Sequence, residues 1–511
     1  PIRNAVPNFV KPEQITPGVP LYYSSTCGAC SSACGVEVKA REGRPIKLDG
    51  NGRSLISNGN DRSAEAKGGL CAVGQASILS LYDNERLANP LKKGSESDWT
   101  TVDAEISKSL NDLAAAGSGI AIVSGSLHSP STLKSIADFT GKFTTARHIM
   151  WDAVSYSGIL EANETDFGKK LIPSYYFDKA QVIVSFGADF LGTWISQVEF
   201  TKAYVRNRVP AQGKEMSKHI QFESNLSLTG TNADERFPMK AGNEGIYLAA
   251  LYNKIAQAKG GKQIQVATSG ELAGNSLAQT ADLLLKNAGK SLVVSGSNDP
   301  KLQMIVNGIN MMLGNYGQTI DLDNYSNQFK AVDRDMDALL ADINAGKVAG
   351  VIFYNVNPVY SHHQGKAFKE AIGKLKLSVS LASTKDETAS ACAYVCQDNH
   401  FLESWNDPEP KANQYQLTQP VISPVFNTRQ AQLSLLSWSV GVRNPEQDPM
   451  ADKQIMNQRF QTSPFYTYMQ SVWQEKLGAE NFQTRFNQCL HDGVLIAEPK
   501  PVMVPAYATD L

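Results

Sequence analysis

The sequence predicts an α/β protein with parallel sheets, preceded by a small cysteine-bearing domain. Short β-branched runs alternate with helical stretches across the middle of the chain, which is typical of parallel strands covered by helices on both faces. The chain has 511 residues, too many for one hydrophobic core, so roughly two to four domains are expected. Three of its seven cysteines fall close together near the amino terminus, which indicates a metal site or disulfides there.

Composition excludes several classes of protein. The formal net charge is −2, so neither a basic surface for nucleic acid nor a polybasic membrane patch is expected. No apolar run approaches the roughly 18 to 20 residues that a membrane-spanning helix needs. The longest apolar runs, at 119–125 and 348–356, have the length of strands.

The opening residues carry five prolines and predict an extended arm over 1–20. Two placements are open for this arm, on the surface of its own protein or around a neighbouring subunit. Because the chain opens with a polar stretch at Pro1 and not with methionine, a processed or partial amino terminus is expected.

Four cysteines have the spacing of a metal-cluster site. Cys27, Cys30 and Cys34 follow a C-x2-C-x3-C pattern, and Cys71 comes after 36 intervening residues. The stretch between them alternates apolar and polar residues around "REGRP", which predicts a hairpin that returns the chain towards the first three thiols. A 4Fe–4S cluster accounts for all four cysteines at once.

Two other interpretations of these cysteines stay open. A structural zinc site usually uses two C-x2-C pairs, and only one is present here. Disulfides would require the first three cysteines to find partners in strained local loops. Three further cysteines are interpreted as structural, namely Cys392, Cys396 and Cys489. The first two would stand about 13 Å apart along a strand, too far for a disulfide.

The periodicity of the middle of the chain gives its elements in order. Runs rich in β-branched residues predict strands at 119–126, 180–188, 291–297, 348–356 and 375–383. Apolar residues at three-to-four spacing predict helices at 101–117, 243–260 and 335–346.

Several motifs together resemble a known family. The stretches "CGACSSACG", "GRPIKLDGN", "GGLCAVGQA" and "LYDNERLANPL" occur in this order between residues 22 and 91. They resemble the amino-terminal iron–sulfur domain of the molybdopterin oxidoreductase superfamily. The resemblance continues to about residue 440 through "IVSFGADFLGTWIS", "VIFYNVNPVYSHHQG" and "NHFLESWNDPEP". Within the superfamily the chain is most similar to the molybdopterin-enzyme-like half of the iron–sulfur subunit (B) of alternative complex III.

The resemblance implies a domain layout of molybdopterin-oxidoreductase type. A small iron–sulfur domain with β-hairpins would precede two Rossmann-like αβα domains, one inserted into the other. The expected segments are an arm at 1–20, the cluster domain at 21–92, a first α/β domain at 93–142 plus 286–430, an inserted α/β domain at 143–285, and a carboxy-terminal docking segment at 431–511.

Three observations argue against a working pterin site, judged by the family's pattern. Val73 stands where catalytic members carry a Lys or Arg between cluster and pterin. The remainder of the chain after about residue 440 is short for the family's closing domain, and "SPFYTYMQSVWQEKL" within it suggests a docking helix instead. In the region of the metal ligand no cysteine occurs. Asp152 and Ser155 are chemically suitable ligands there, but Asp152 also fits a helix cap.

Two further sets of residues are interpreted without a ligand. The loops "VSFGADFLG" and "FYNVNP" follow buried strands, where catalytic relatives hold pterin phosphates, and we interpret them as retained architecture. His362 and His363 are adjacent, and we assign them packing or surface roles because neighbouring histidines rarely bind one metal together.

The resemblance implies an iron–sulfur subunit of a membrane-associated quinol-oxidising respiratory or photosynthetic complex. Its expected cofactor is one 4Fe–4S cluster held by Cys27, Cys30, Cys34 and Cys71, without molybdopterin and without catalytic residues of its own. Whether the cluster carries electrons or only stabilises its domain stays open at this point. Two alternatives are a catalytic molybdenum or tungsten bis-pterin oxidoreductase, of the sulfur-compound reductase type, and a scaffold that binds zinc.

The same resemblance implies partners and a location. The expected partners are a ferredoxin-like multi-cluster protein or domain, integral membrane quinol-binding subunits and c-type cytochromes. The expected place is the periplasmic face of the bacterial inner membrane, reached by folded export of the twin-arginine type. The chain itself would be attached through its partners.

Overall fold

The computed structural model describes residues 16–210, 215–265, 276–439 and 463–509. Most of the predicted arm at 1–20 therefore lies outside the described residues. Among the described helices, none combines the length and the apolar character that crossing a bilayer requires.

Strands occur along most of the described chain. They are β1 (Leu21–Thr26), β2 (Gly35–Arg41), β3 (Arg44–Gly50), β4 (Leu91–Lys92), β5 (Ser95–Glu96), β6 (Gly119–Ser124), β7 (Ala146–Met150), β8 (Ile172–Tyr175), β9 (Val182–Phe186), β10 (Lys218–Glu223), β11 (Glu235–Pro238), β12 (Ser291–Ser295), β13 (Ile320–Ser326), β14 (Val348–Tyr354), β15 (Leu377–Ser380), β16 (Tyr394–Val395), β17 (Gln414–Gln416) and β18 (Val494–Ile496).

Helices alternate with these strands. They are α1 (Leu55–Asn58), α2 (Ala72–Ala76), α3 (Trp99–Ala115), α4 (Pro130–Lys142), α5 (Ser157–Phe167), α6 (Gln197–Arg206), α7 (Leu228–Thr231), α8 (Glu244–Lys259), α9 (Ser276–Lys286), α10 (Pro300–Met312), α11 (Asp333–Asn344), α12 (Pro358–Ser361), α13 (Gly365–Ile372), α14 (Glu387–Ala391), α15 (Ala431–Ser439), α16 (Pro464–Leu477) and α17 (Phe482–Asp492). Short 3-10 helices occur at Leu79–Tyr82 and Phe401–Glu403.

A small antiparallel sheet opens the described chain. Its order is β1-β2-β3, and the predicted hairpin is confirmed as β2 and β3. Glu42 and Gly43 form the turn, both with positive φ angles of 47° and 76°. The hairpin carries the chain away from Cys34 and returns it, since Val36 pairs with Gly50.

The larger sheet has seven strands in the order β5-β4-β16-β15-β14-β6-β7. From β16 to β7 all neighbours are parallel, while β4 and β5 join antiparallel at one edge. Alternate residues of β6 face opposite layers, as a strand buried on both faces requires. Ile120 and Ile122 pack with residues of α3 and α4, whereas Ala121 and Val123 pack with residues of α11 and α13.

The smaller sheet is entirely parallel, in the order β11-β10-β9-β12. Val182 and Val184 of β9 pack with apolar residues of α8 and α9. Ile183, between them, packs on the opposite face with residues of α5 and α6. The predicted α/β fold with helices on both faces of parallel sheets is therefore confirmed.

The five predicted strands and three predicted helices all occur, with ends that differ by a few residues. The sheets to which two strands belong differ from the expected layout. β7 pairs with β6 in the larger sheet, and β12 pairs with β9 in the smaller one. Limits near 143 and 285 would assign each of these strands to the other sheet. The alternation of strands and helices in the sequence indicates where each strand and helix lies. It does not indicate which sheet a strand joins.

The carboxy-terminal helix packs on its own chain. In α16 the side chains of Phe465, Met469 and Trp473 are fully buried, and they pack with Phe486 of α17 and with Trp405. The sequence suggested a docking helix here, and the aromatic side chains of α16 pack against residues of the same chain. The strand β18 that follows pairs with β17. Residues 440–462 lie outside the described ranges.

Candidate metal-cluster site

A closed loop holds the first three cysteines between β1 and β2. The backbone N–H of Cys27 donates to the carbonyl of Cys34 at 2.8 Å, which fixes the two ends of the loop together. Ala33 adopts a φ of 47°, a left-handed conformation that turns the chain back just before Cys34. Cys27 and Cys34 are buried, whereas Cys30 is exposed.

Backbone contact between glycines brings Cys71 to this loop. A Cβ on Gly68 would lie 2.1 Å from the carbonyl oxygen of Gly50, so the two backbones touch where β3 ends. The N–H of Gly69 donates to the carbonyl of Ser57 at 2.7 Å, which holds the segment there. Gly68 and Gly50 are therefore needed for this close approach, because a Cβ on either would overlap the facing backbone.

Cys71 begins the short helix α2. Its Sγ accepts a hydrogen bond from the N–H of Gly74 at 3.3 Å. Backbone donors of this kind stabilise a sulfur ligand of an iron–sulfur cluster, because they offset the negative charge on the sulfur. Cys71 is half-buried, so the four thiols range from buried to exposed.

Electrostatics indicates that the four thiols share one site. Burial raises the pKa of Cys27 to about 11, and it raises the pKa of Cys34 well above the usual value. Repulsion from Cys30 and Cys71 raises both values further, so each thiol lies within reach of the charge on the others. The free thiols of Cys27 and Cys34 would be protonated, and ligation to iron would displace those protons.

The spacing of the sulfurs distinguishes between kinds of metal site. All seven cysteines are described and none forms a disulfide. Within the described ranges, no three of the four cysteine sulfurs lie mutually within 4.8 Å. The four ligands of one zinc ion would lie closer, because each Zn–S bond is only about 2.3 Å long. A cluster of several irons separates its ligands more widely, because its sulfur ligands bind different irons.

Apolar side chains and two long-range hydrogen bonds surround the loop. Cys27 and Cys34 belong to a core that includes Val36, Ile56 and Leu402. His128, between β6 and α4, donates through Nε2 to the carbonyl of Ser31 at 2.9 Å. Gln328 donates to the carbonyl of Ser32 at 3.2 Å. The loop is thereby fixed to the α/β part of the chain.

Solved structures and curated proteins with a similar fold or sequence show which proteins this chain resembles. Acetylene hydratase from Pelobacter acetylenicus matches with a TM-score of 0.63 over 93% of this chain and 74% of that chain, at 11% identity. The menaquinone reductase, molybdopterin-binding-like subunit of Nitratidesulfovibrio vulgaris is 24% identical over 460 residues, which cover 82% of this chain. The resemblance to the molybdopterin oxidoreductase superfamily is confirmed.

The chain spans 65% of the length of the menaquinone reductase subunit, less than two thirds of that relative. A shorter match of 105 residues, 32% identical, relates 18% of the chain to 9% of a selenate reductase chain from Mesobacillus selenatarsenatis. No protein-family model matches the sequence.

In this molybdopterin-oxidoreductase-like chain, carboxylate side chains lie where the strands β9 and β10 of the smaller sheet end. After β9, Asp189 accepts from the N–H and the hydroxyl of Thr229 at 3.0 and 2.7 Å. At the end of β10, Glu223 accepts from Ser227 and from Arg236. A pyrophosphate at these strand ends would meet negative charge, and Arg236 is already paired.

The polar side chains of the "FYNVNP" loop in the larger sheet also have hydrogen-bond partners within the chain. Asn355 donates to Asp398 at 3.1 Å, and Asn357 accepts from the N–H and hydroxyl of Thr388 while donating to Glu387. Burial raises the pKa of Asp398 to about 6. The described residues of these loops therefore do not fit an anionic pterin nucleotide.

The residues considered as metal ligands are engaged elsewhere. Asp152 accepts from the N–H and the hydroxyl of Ser126, at 2.8 and 2.6 Å. Ser155 bonds to Ser157 at the start of α5. The helix-cap alternative for Asp152 is wrong, because α5 begins at Ser157 and no side chain caps it. Val73 lies on α2 with 63% of its surface exposed.

The structure brings the adjacent histidines to one carboxylate. Nε2 of His362 and Nε2 of His363 lie 3.7 and 3.9 Å from Asp337, on α11. Nδ1 of His362 accepts from the N–H of Gln364, which leaves the ring proton on Nε2, facing Asp337. The His362 ring is neutral in this arrangement, because Nδ1 accepts a hydrogen bond and burial lowers the pKa of the imidazole, so it forms no ion pair with Asp337. The His362 ring also packs against Trp151.

Sequence reasoning missed the buried charges of "NHFLESWNDPEPK". Glu403 binds Arg86, Asp407 accepts from Ser129, and Lys411 pairs with Glu199, all out of contact with solvent. Each partner lies more than 200 residues away along the chain, so spacing within the motif gave no signal.

Proposed function

We propose that this chain is the cluster-bearing subunit of a membrane-associated, quinone-linked electron-transfer complex. The observation that carries the proposal is the approach of Cys71 to the loop of Cys27, Cys30 and Cys34, beside an apolar core and with a backbone donor to Cys71. Such a donor set suits a 4Fe–4S cluster held by Cys27, Cys30, Cys34 and Cys71, which supplies one-electron transfer when bound.

The absence of pterin forms the second part of the proposal. The strand ends that would receive the pterin nucleotide carry carboxylates that are already bonded to neighbouring residues of this chain. Val73 is apolar and cannot supply a cation between cluster and pterin. The relative from Nitratidesulfovibrio vulgaris is named as a molybdopterin-binding-like subunit of a menaquinone reductase, which supports a quinone-linked role. We therefore propose that the chain catalyses no reaction alone.

The finer assignment follows the resemblance of the sequence. We propose a complex of the alternative complex III type that oxidises quinol, located at the periplasmic face of the bacterial inner membrane. Its partners would be a ferredoxin-like multi-cluster protein or domain, integral membrane quinol-binding subunits and c-type cytochromes. Attachment to the membrane would occur through these partners.

In this function the residues of the chain hold and insulate the cluster. The four thiolates would bind iron, and Val36, Ile56 and Leu402 would exclude water from the buried side. His128 and Gln328 hold the loop carbonyls, so the ligands cannot move independently of the sheets. A ligand loop held in this way favours electron transfer because little rearrangement accompanies a change of charge.

Metal analysis of the anaerobically purified chain tests this proposal. We expect about four irons and four acid-labile sulfides per chain, with broad visible absorption and neither molybdenum nor tungsten. Stoichiometric molybdenum or tungsten with pterin fluorescence would instead support a catalytic oxidoreductase. Zinc without iron would support the scaffold alternative, and either result would overturn the proposal.

A pair of cysteine variants tests the ligand assignment. Cys27→Ser removes a buried ligand, so the visible absorption and most of the iron should be lost. Cys489→Ser is the matched control, since Cys489 is also buried but lies on α17, in a separate core. Unchanged absorption in Cys27→Ser would contradict the assignment.

A further inference from the structure

A buried ion pair lies behind the cysteine loop. Lys411 and Glu199 form a salt bridge in which each side chain is only 2% exposed. Asn60 bonds to both partners, donating to Glu199 at 2.7 Å and accepting from Lys411 at 2.9 Å. The three residues come from distant parts of the chain. They are brought together by the fold and not by a local sequence motif.

Hydrogen bonds connect this pair to the cysteine loop. Ser196 donates to the second carboxylate oxygen of Glu199 at 2.9 Å, and its hydroxyl accepts from Gln328 at 3.1 Å. The same amide nitrogen of Gln328 donates to the carbonyl of Ser32, between Cys30 and Cys34. Every side chain along this path is buried.

The path is short. Only the side chains of Ser196 and Gln328 separate the carboxylate of Glu199 from the carbonyl of Ser32, which lies between Cys30 and Cys34. A buried ion pair is weak evidence for stability, because desolvation of two charges offsets most of their attraction. Stability therefore gives little reason to place a charged pair beside a set of thiolates.

We propose that the Glu199–Lys411 pair sets the reduction potential of the cluster held by the four cysteines. This inference rests on the proposed function, since it requires the cluster. Glu199 adds negative charge on the side of Cys34 and disfavours the reduced cluster, whereas Lys411 offsets that charge. Net charge and hydrogen bonding near the sulfurs are established determinants of cluster potential. Glu199 and Lys411 are tuning residues that do not touch the irons.

Charge-removing variants give the test a distinctive sign pattern. Glu199→Gln leaves Lys411 unpaired, so the potential should rise. Lys411→Met leaves Glu199 unpaired, so the potential should fall. The double variant removes both charges and should return near the wild-type value. The measurement is a redox titration of the iron-loaded full chain, followed by electron paramagnetic resonance at one fixed pH.

A structural role would produce a different pattern. Loss of packing should change the potential of both single variants in the same direction, or not at all, and either outcome overturns the inference. Asp342→Asn is the control for charge removal, because Asp342 lies on α11 at the outer face of the larger sheet, paired with Arg147. The reduction potential of the cluster in Asp342→Asn should match that of the wild type.

A milder variant covers the case in which the single variants lose iron. Ser196→Ala removes one hydrogen-bond donor from Glu199 and leaves both charges in place. The carboxylate then acts more strongly on the cluster, so a smaller downward shift is expected, and an unchanged potential overturns the inference. If the wild type holds no iron, the proposed function fails. If it holds four irons but no variant shifts the potential, only this inference fails.

Discussion

Gly68 occupies a position where no other residue fits without moving backbone. A Cβ there would overlap the carbonyl of Gly50, and this contact is what carries Cys71 to the other three cysteines. Gly141, in contrast, lies near the end of α4 with open space where its Cβ would be. The two glycines therefore form a matched pair for one substitution.

We expect Gly68→Ala to lower the iron content of the purified chain and its free energy of unfolding by about 1–3 kcal/mol, because overpacking moves the segment before Cys71. Gly141→Ala should retain iron and be neutral or slightly stabilising, since alanine favours a helix. Metal analysis and denaturant unfolding check both variants. Full iron content in Gly68→Ala would show that the glycine contact does not position Cys71.

His219 illustrates how a buried neutral side chain makes stability depend on pH. Burial lowers its pKa from 6.5 to about 4, and its ring packs against Phe190 and Tyr204. The unfolded chain binds a proton at the higher pKa, so the folded state loses stability as pH falls from about 6.5 towards 4. Above pH 6.5 the full contribution is present.

We expect His219→Gln to reduce the acid loss of stability by roughly 3 kcal/mol between pH 7 and pH 4, because one pKa unit corresponds to about 1.4 kcal/mol. Denaturant unfolding at several pH values measures this slope. The same variant at pH 8 isolates the loss of packing, which should be equal at every pH. A slope identical to that of the wild type would contradict the assignment.

At the scale of elements, one buried ion pair joins two short 3-10 helices. Arg86 follows the helix Leu79–Tyr82, and Glu403 ends the helix Phe401–Glu403. Their side chains form two parallel hydrogen bonds of 3.2 and 2.7 Å, and Glu403 also accepts from the N–H of Val425. This pairing connects the Arg of "NERLANPL" with the Glu of "NHFLES".

Removing one partner of the Arg86–Glu403 pair should destabilise the chain more than removing both partners. Arg86→Met leaves a buried carboxylate without its cation, and we expect a loss of about 3–5 kcal/mol in the free energy of unfolding. Arg86→Met combined with Glu403→Gln should recover part of that loss, because no charge is then left unpaired. Denaturant unfolding of the two variants gives the comparison. Equal losses would show that the charge itself is unimportant.

The helix α16 shows what composition alone could not indicate. An aromatic amphipathic helix near a chain terminus suits an external partner and an internal core equally well, because both bury the same side chains. The internal partners, Trp405 and Phe486, lie on either side of α16 in the sequence and carry no pattern that links them to it. The nitrogen of Trp473 also donates to the buried Asp407.

We expect Trp473→Ala to destabilise the chain by about 3–5 kcal/mol, the usual range for truncating a large buried aromatic residue. Gln474→Ala is the neighbouring control, because Gln474 is exposed on the same helix. Thermal unfolding of both variants measures the difference. A small effect of Trp473→Ala would indicate that α16 contributes little to the stability of the chain.

At the scale of the whole molecule, sequence reasoning succeeded where local signals sufficed. The β-branched runs predicted β6, β9, β12, β14 and β15 because a strand buried on both faces is nearly all apolar. Sheet membership, in contrast, depends on crossovers, so periodicity did not indicate that β7 joins the larger sheet and β12 the smaller one. The Glu199–Lys411 pair, 212 residues apart, had no local signal at all.

The two kinds of sheet should respond differently to loss of the cluster. The three-stranded sheet β1-β2-β3 shares a small core with Cys27 and Cys34, whereas β6 and β14 lie inside a seven-stranded sheet covered on both faces. Small domains with little core often depend on bound metal for their stability. Iron therefore should matter most to the amino-terminal sheet.

We expect removal of iron by a chelator under oxidising conditions to increase amide hydrogen exchange in β1, β2 and β3, with β6 and β14 unchanged. Mass spectrometry of peptides from the chain before and after treatment measures this directly, and the peptides of β6 and β14 serve as the internal control. Loss of protection in all sheets together would mean that the cluster supports the whole fold. Unchanged exchange in β1 to β3 would mean that the hydrogen bonds of the hairpin and the glycine contacts hold the amino-terminal sheet without iron, leaving electron transfer as the role of the cluster.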